Sequence, residues 1–291
     1  MIETEVEIAA NGHRLAATIC LPKAEGQFPF VLMVHGSGPL DRNENTKGQK
    51  LNVFNTIADH LAAQGVASLR YDKRGCGKST GDYHQAGHFD LVADASACID
   101  YLKQSDFCQK SQIYALGHSE GSIIVPQLSR INSPDLAGLI LLCPFVQNIE
   151  TILRQQARHI QESMKDLTGL NGFIVRTFVK LFGDPVSVQN QLIAKIKASN
   201  TPIIRFKLRK VGAKWLRELF QLDAAEIFRQ TTCPMLVIGG EKDIQCDPAD
   251  VEQIKKLSPV AVEAHVVDDL THILRFDKDE HSIFRYKELM K

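Results

Sequence analysis

Three residues have the types and the chain order for nucleophilic catalysis: Ser119 in GHSEG, Asp243 in GGEKD and His272 in LTHIL. A serine hydroxyl is a weak nucleophile until a base takes its proton. An imidazole titrates near neutrality, so it can take that proton and later return it to a leaving group. A carboxylate on the other ring nitrogen fixes the tautomer and stabilises the imidazolium. Gly117 and Gly121 flank the serine, as a sharp strand-to-helix turn with no room for side chains requires. GHSEG alone also suits an ordinary loop serine. Competing histidines are His35, His118, His265 and His281, and competing acids are Asp247, Asp268 and Asp269.

Such chemistry also needs donors for the oxyanion of a tetrahedral intermediate. One is the backbone N–H after the nucleophile, on Glu120, where a following helix adds its positive dipole end. The second is expected from a loop after an early strand, and Ser37 N–H in HGSGP (35–39) stands there. The Glu120 carboxylate flanks the nucleophile and is a candidate tuning group.

The elements that must hold these residues are legible as an alternation of strands and helices. VEIAANGHRLAATICLP reads as two strands around the Asn11–Gly12 turn. FPFVLMVHG is a continuous apolar run, a strand buried on both faces. LNVFNTIADHLAAQ then shows helical spacing and stops at Gly65. VASLRYD, QIYALG, AGLILLC, PMLVIGG and EAHVVDD continue as strands, with helical stretches among them. The expected class is α/β, with a mostly parallel central sheet and helices on both faces. Ser119, Asp243 and His272 follow strand ends, where such sheets carry their working residues.

Residues 145–230 break the rhythm. Helix-period patterns dominate there, in IETILRQQARHIQESM, VQNQLIAKIKAS and FKLRKVGAKWLRELF, and no buried strand is evident. The expected domain plan is a core of residues 1–144 and 231–291 with a helical cap, 145–230, inserted after the sixth strand. The insert holds fourteen basic and seven acidic residues, so it is net +7 and the remainder net −7. Leu208, Val211, Trp215 and Leu219 are placed on one helical face. That face packs on the core, or brings Trp215 to line a substrate pocket. A third reading is a basic amphipathic helix touching an anionic membrane or lipid aggregate.

Lys plus Arg and Asp plus Glu both number 34, so no global charge favours a nucleic-acid partner. The seven cysteines form no CxxC pair, which argues for reduced thiols. MIETEVEIAANG lacks the basic and apolar regions of a signal peptide, and LAGLILLCPFV is too short to span a bilayer. A soluble, cytoplasmic protein is expected. RGCGKST ends like a phosphate-binding loop, but the glycine required five residues before Gly77 is Asp72. Asp72 and Arg74 are instead expected to brace a tight turn.

HGSGPLDRNEN, RYDKRGCGKST, GHSEG, GGEKD and LTHIL stand in one order over nearly the whole chain. In these stretches the chain resembles the α/β-hydrolase superfamily, and most the bacterial esterases of its serine-aminopeptidase-like and lysophospholipase-like branch. The resemblance implies the α/β-hydrolase fold, a triad of Ser119, Asp243 and His272, and a helical cap after the sixth strand. Two departures are Ser122, where many relatives have a further glycine, and a shorter terminal helix. The expected activity is hydrolysis of a carboxylic ester through an acyl-enzyme, with no metal or organic cofactor implied. A thioesterase or amidase, an acyltransferase, and a non-catalytic binding protein are the alternatives.

Overall fold

Asn11 and Gly12 both turn left-handed, at φ 39° and 84°, and fold β1 (Ile2–Ala10) antiparallel onto β2 (His13–Leu21). The computed structural model describes residues 1–132, 135–165, 169, 177, 179–279 and 286–289. Within it the hairpin forms one edge of an eight-stranded sheet. The other strands are β3 (Phe28–Val34), β4 (Ala67–Tyr71), β5 (Cys108–His118), β6 (Leu136–Leu142), β9 (Met235–Lys242) and β10 (Val262–Thr271). Their order is β1-β2-β4-β3-β5-β6-β9-β10, antiparallel from β1 to β4 and parallel from β4 onward.

The apolar run of β3 shows why the sheet needs two covers. Phe28, Phe30, Leu32 and Val34 enter one core with α2 (His88–Gln104), α3 (Gly121–Ile131) and α8 (Asp250–Leu257). Val31 and Met33 enter a second core with Val53, Phe54, Ala58 and Ala62 of α1 (Val53–Ala63). Period-two side chains thus serve both faces, so neither can be polar. All seven cysteines are buried and free. Among the described residues no helix is long and apolar enough to cross a membrane.

Between β6 and β9 the chain forms α4 (Ile149–Lys165), α5 (Pro185–Lys197), a two-stranded hairpin of β7 (Ile203–Phe206) and β8 (Arg209–Gly212), α6 (Ala213–Gln221) and α7 (Ala224–Arg229). The hairpin corrects the helical reading of FKLRKVGAKWLRELF. Ile204 pairs with Val211 and Phe206 with Arg209, and Lys207 and Leu208 turn the chain at φ 45° and 66°. Leu208, Val211, Trp215 and Leu219 therefore do not share a helical face, and only the last two lie on α6. The apolar residues at 204, 206 and 211 fit strand alternation across a turn, and the β-branched pair Ile203–Ile204 favours it. Val211 and Leu216 pack with Ile196, Ile204 and Ala213 in a small separate cluster. Leu219, Ala224 and Phe228 instead join the main core.

Candidate active site

The parallel register sets the site. Val34 at the end of β3 pairs with Gly117 of β5, and His118 pairs with Leu142 of β6, so these strands finish level. Ser119 follows at φ 52°, a strained conformation for a residue with a side chain. Its amide is held by the Leu142 carbonyl at 2.9 Å, and α3 starts two residues on. A Cβ on Gly117 would strike the Gly121 carbonyl, and one on Gly121 would strike the Val34 carbonyl. These glycines let strand and helix approach to backbone contact. Ser122, in place of a further glycine, donates its hydroxyl to the Ser119 carbonyl at 2.6 Å.

The ends of β9 and β10 bring the partners in. A Cβ on Gly240 would strike the Leu270 carbonyl, so the close approach of the two loops depends on that glycine. His272 Nε2 lies 3.0 Å from Ser119 Oγ, and His272 Nδ1 lies 2.8 Å from Asp243 Oδ2. Asp243 Oδ1 accepts the amides of Gln245 and Cys246 at 2.8 and 2.9 Å. Burial pushes the Asp243 carboxyl up, but His272 and these two amides outweigh it and hold the group below its ordinary value. The rivals lie elsewhere. His265 is exposed beside Glu263, Asp269 pairs with Lys242, and His281 lies outside the described residues.

Two buried ionic groups grip the loop after β3 that carries Ser37. Glu44 Oε1 accepts the Gly36 amide at 2.8 Å and faces His118 Nδ1 at 3.0 Å. His118 Nε2 in turn lies 2.9 Å from the His272 carbonyl. Burial would lower the His118 pKa, yet Glu44 and the His272 carbonyl outweigh it and raise it. On the other side, Lys73 Nζ donates to the Gly36 carbonyl at 2.5 Å and to Glu120 Oε2 at 3.1 Å. Trp215 Nε1 donates to the other Glu120 oxygen. Burial pushes the Glu120 carboxyl up, but Lys73, His88 and Trp215 outweigh it and hold it at about 2. The Glu120 side chain is therefore an ionic brace between core and insert. The Ser37 and Glu120 amides donate to no backbone or side-chain acceptor among the described residues.

Glu44 and Lys73 lie within HGSGPLDRNEN and RYDKRGCGKST, but no spacing singles them out there, because burial gives them their roles. Asp72 was legible as a brace. It accepts the Arg42 and Lys78 amides, each at 2.8 Å, and pairs with the Arg42 guanidinium at 2.9 Å. Arg74 ties the same turn to Asp94 of α2 at 2.6 Å.

Ser37, Ser119, Glu120 and His272 border a cavity of about 80 Å³, closed by Phe145 and by Ile149, Ile152 and Leu153 of α4 and Trp215, Leu216 and Leu219 of α6. Its walls are mostly apolar. Two donor sets for a metal overlap it, His118–Cys143–His272 and Asp243–Cys246–His272, each with ligand atoms within 4.8 Å. The histidines are engaged in the hydrogen bonds above, and burial pushes both thiols well up, away from the thiolate that binds metals. The arrangement suits proton transfer between serine and imidazole beside an apolar pocket with two free amides.

A family model for the serine aminopeptidases S33 matches residues 47–279. The chain is 30% identical over 272 residues to the esterase EstD of Thermotoga maritima. That alignment covers 93% of this chain and 60% of EstD, so the chain spans less than two thirds of that relative. Among solved structures it is similar to Est1E of Butyrivibrio proteoclasticus with ferulic acid bound, at a TM-score of 0.63 and 21% identity, over 98% of this chain and 96% of that one. The α/β-hydrolase GrgF of a Penicillium species superposes with a TM-score of 0.64 at 14% identity, covering 94% and 91% of the two chains. These two likenesses establish the α/β-hydrolase fold.

Proposed function

Since the chain belongs to the serine aminopeptidase S33 family, we propose that it is a serine hydrolase of carboxylic esters, with Ser119 as nucleophile, His272 as base and Asp243 as the orienting acid. The observation that carries the reading is the continuous hydrogen-bonded chain from Ser119 Oγ through His272 to Asp243, ending on an apolar cavity. Ser119 attacks the ester carbonyl as His272 Nε2 takes its proton. The oxyanion accepts hydrogen bonds from the Ser37 and Glu120 amides, and the dipole of α3 adds positive potential there. His272 then protonates the departing alcohol. Water, deprotonated by the same imidazole, cleaves the acyl-enzyme and frees Ser119.

The similarity to EstD supports an ester over an amide. So does the pocket. An aminopeptidase site needs an anion for the substrate's α-ammonium group. Among the described lining residues the one carboxylate is Glu120, which Lys73 already neutralises. Residues 145–230 act in this reading as a cap over a core of 1–144 and 231–291. α4 and α6 wall the space open to the acyl group, and long chains require them to move.

The test is labelling with a fluorophosphonate probe, followed by location of the adduct and assay of acyl esters. Ser119 is expected to carry the adduct, and Ser119→Ala to lose at least about a thousandfold in kcat. Full activity in Ser119→Ala overturns the mechanism. Transfer of the acyl group to an added alcohol in preference to water reassigns the enzyme as an acyltransferase.

A further inference from the structure

The β7–β8 hairpin displays an apolar residue at a site that disfavours it. Leu208 is fully exposed, at 102% of its reference area, on the turn between the strands. It and Lys207 occupy consecutive left-handed positions, at φ 66° and 45°. A two-residue turn of this kind favours Asn-Gly, because a side chain there costs conformational energy. Strain of this sort persists where it serves something else.

The surroundings indicate what it serves. Residues 205–210 read RFKLRK, four cations and no anion. Arg205, Lys207, Arg209 and Lys210 are all exposed, as is Leu181 on the segment that Lys207 reaches through its hydrogen bond to the Phe182 carbonyl. Asp184, next along that segment, is turned to capping α5 through the Ser187 amide at 2.9 Å. Below the turn, Pro185, Val188, Leu192, Phe206 and Val211 line an open apolar groove of about 600 Å³. The charge belongs to the insert, net +7, against −7 for the remainder.

We infer that the β7–β8 hairpin docks this protein on an anionic phospholipid bilayer, with Leu208 entering the headgroup boundary and the four cations holding lipid phosphates. An apolar tip ringed by cations suits a surface that is charged outside and apolar beneath. A nucleic acid offers the charge but no apolar layer for the leucine. Docking also communicates with the pocket. β8 runs directly into α6, whose Trp215 donates to Glu120 beside Ser119, so force on the hairpin falls on a wall of the cavity.

The test is co-sedimentation of the full chain with phosphatidylcholine vesicles, with and without phosphatidylglycerol. Binding is expected only with phosphatidylglycerol and should fall as salt is raised. Leu208→Asp and the triple reversal Lys207→Glu, Arg209→Glu, Lys210→Glu should each lower it at least about tenfold. Both variants should keep the far-UV circular dichroism and the wild-type hydrolysis of a soluble chromogenic ester. The circular dichroism reads folding even if no esterase activity exists, so failure of the docking inference is separable from failure of the proposed function. No pelleting with phosphatidylglycerol overturns the inference, and so does pelleting that both variants retain. Binding to a single-stranded oligonucleotide without binding to vesicles assigns the patch to nucleic acid and likewise overturns it.

Discussion

Lys73 Nζ lies 2.5 Å from the Gly36 carbonyl and 3.1 Å from Glu120 Oε2. One buried ammonium thereby joins the loop that carries the Ser37 amide to the residue that carries the other proposed oxyanion donor. Glu44 grips the same Gly36 peptide from its amide side. The loop is positioned at both of its polar groups.

Lys73→Met should therefore lower kcat about tenfold or more while KM changes less than about threefold. Removing an oxyanion donor outright costs a hundredfold or more, and loosening one costs part of that. Steady-state kinetics check this alongside thermal unfolding. A fall in stability with kcat intact would reduce Lys73 to a packing role. Trp215→Phe, which removes the N–H donor to Glu120 together with part of the ring that lines the cavity, should act in the same direction more weakly.

The acid limb of stability should carry the mark of Glu120. Its folded pKa is depressed to about 2 from an unfolded value near 4.5. A depressed carboxyl contributes stability above its unfolded pKa and loses it as pH falls through the folded one. Between pH 4.5 and about 2 the protein should lose roughly 3 kcal/mol from this group alone, at about 1.4 kcal/mol per unit. Glu44 and Asp243, both held low, add loss in the same direction. Urea unfolding at neutral pH and near pH 3 should show a smaller pH dependence in Glu120→Gln than in the wild type.

Gly121→Ala should destabilise the protein by about 3 kcal/mol, because the new methyl meets the Val34 and His35 carbonyls and not a yielding side chain. Gly48→Ala is the control. Nothing lies within 4 Å of a Cβ there, so it should stay within about 0.5 kcal/mol of wild type. Thermal unfolding of the two variants side by side tests the difference.

Leu208→Gly should raise stability by about 0.5 kcal/mol or more, since it relieves a left-handed leucine and covers no core. The same variant should bind anionic vesicles less well. A residue whose removal improves the fold and weakens an interaction is retained for the interaction. Equilibrium unfolding in urea reads the first effect.

The fold class, the strand ends and the candidate triad are legible in the sequence, for a physical reason. Each rests on local signals a few residues long: an apolar run that buries a strand, a glycine that permits a close turn, a polar residue just past a strand end. Tertiary structure decided what local signals leave open. Glu44 bonds across 74 positions to His118, Lys73 across 37 to Gly36, and Trp215 across 95 to Glu120. Glu44 and Lys73 sit among other charged residues in HGSGPLDRNEN and RYDKRGCGKST, and no local pattern tells which of those charges are buried. Burial makes the difference, because it turns an ordinary charge into one that must be paired. The hairpin escaped for a related reason. RFKLRKV satisfies helix and strand patterns about equally, and the choice fell to the pairing of Ile204 with Val211 and their packing on Ile196 and Leu216.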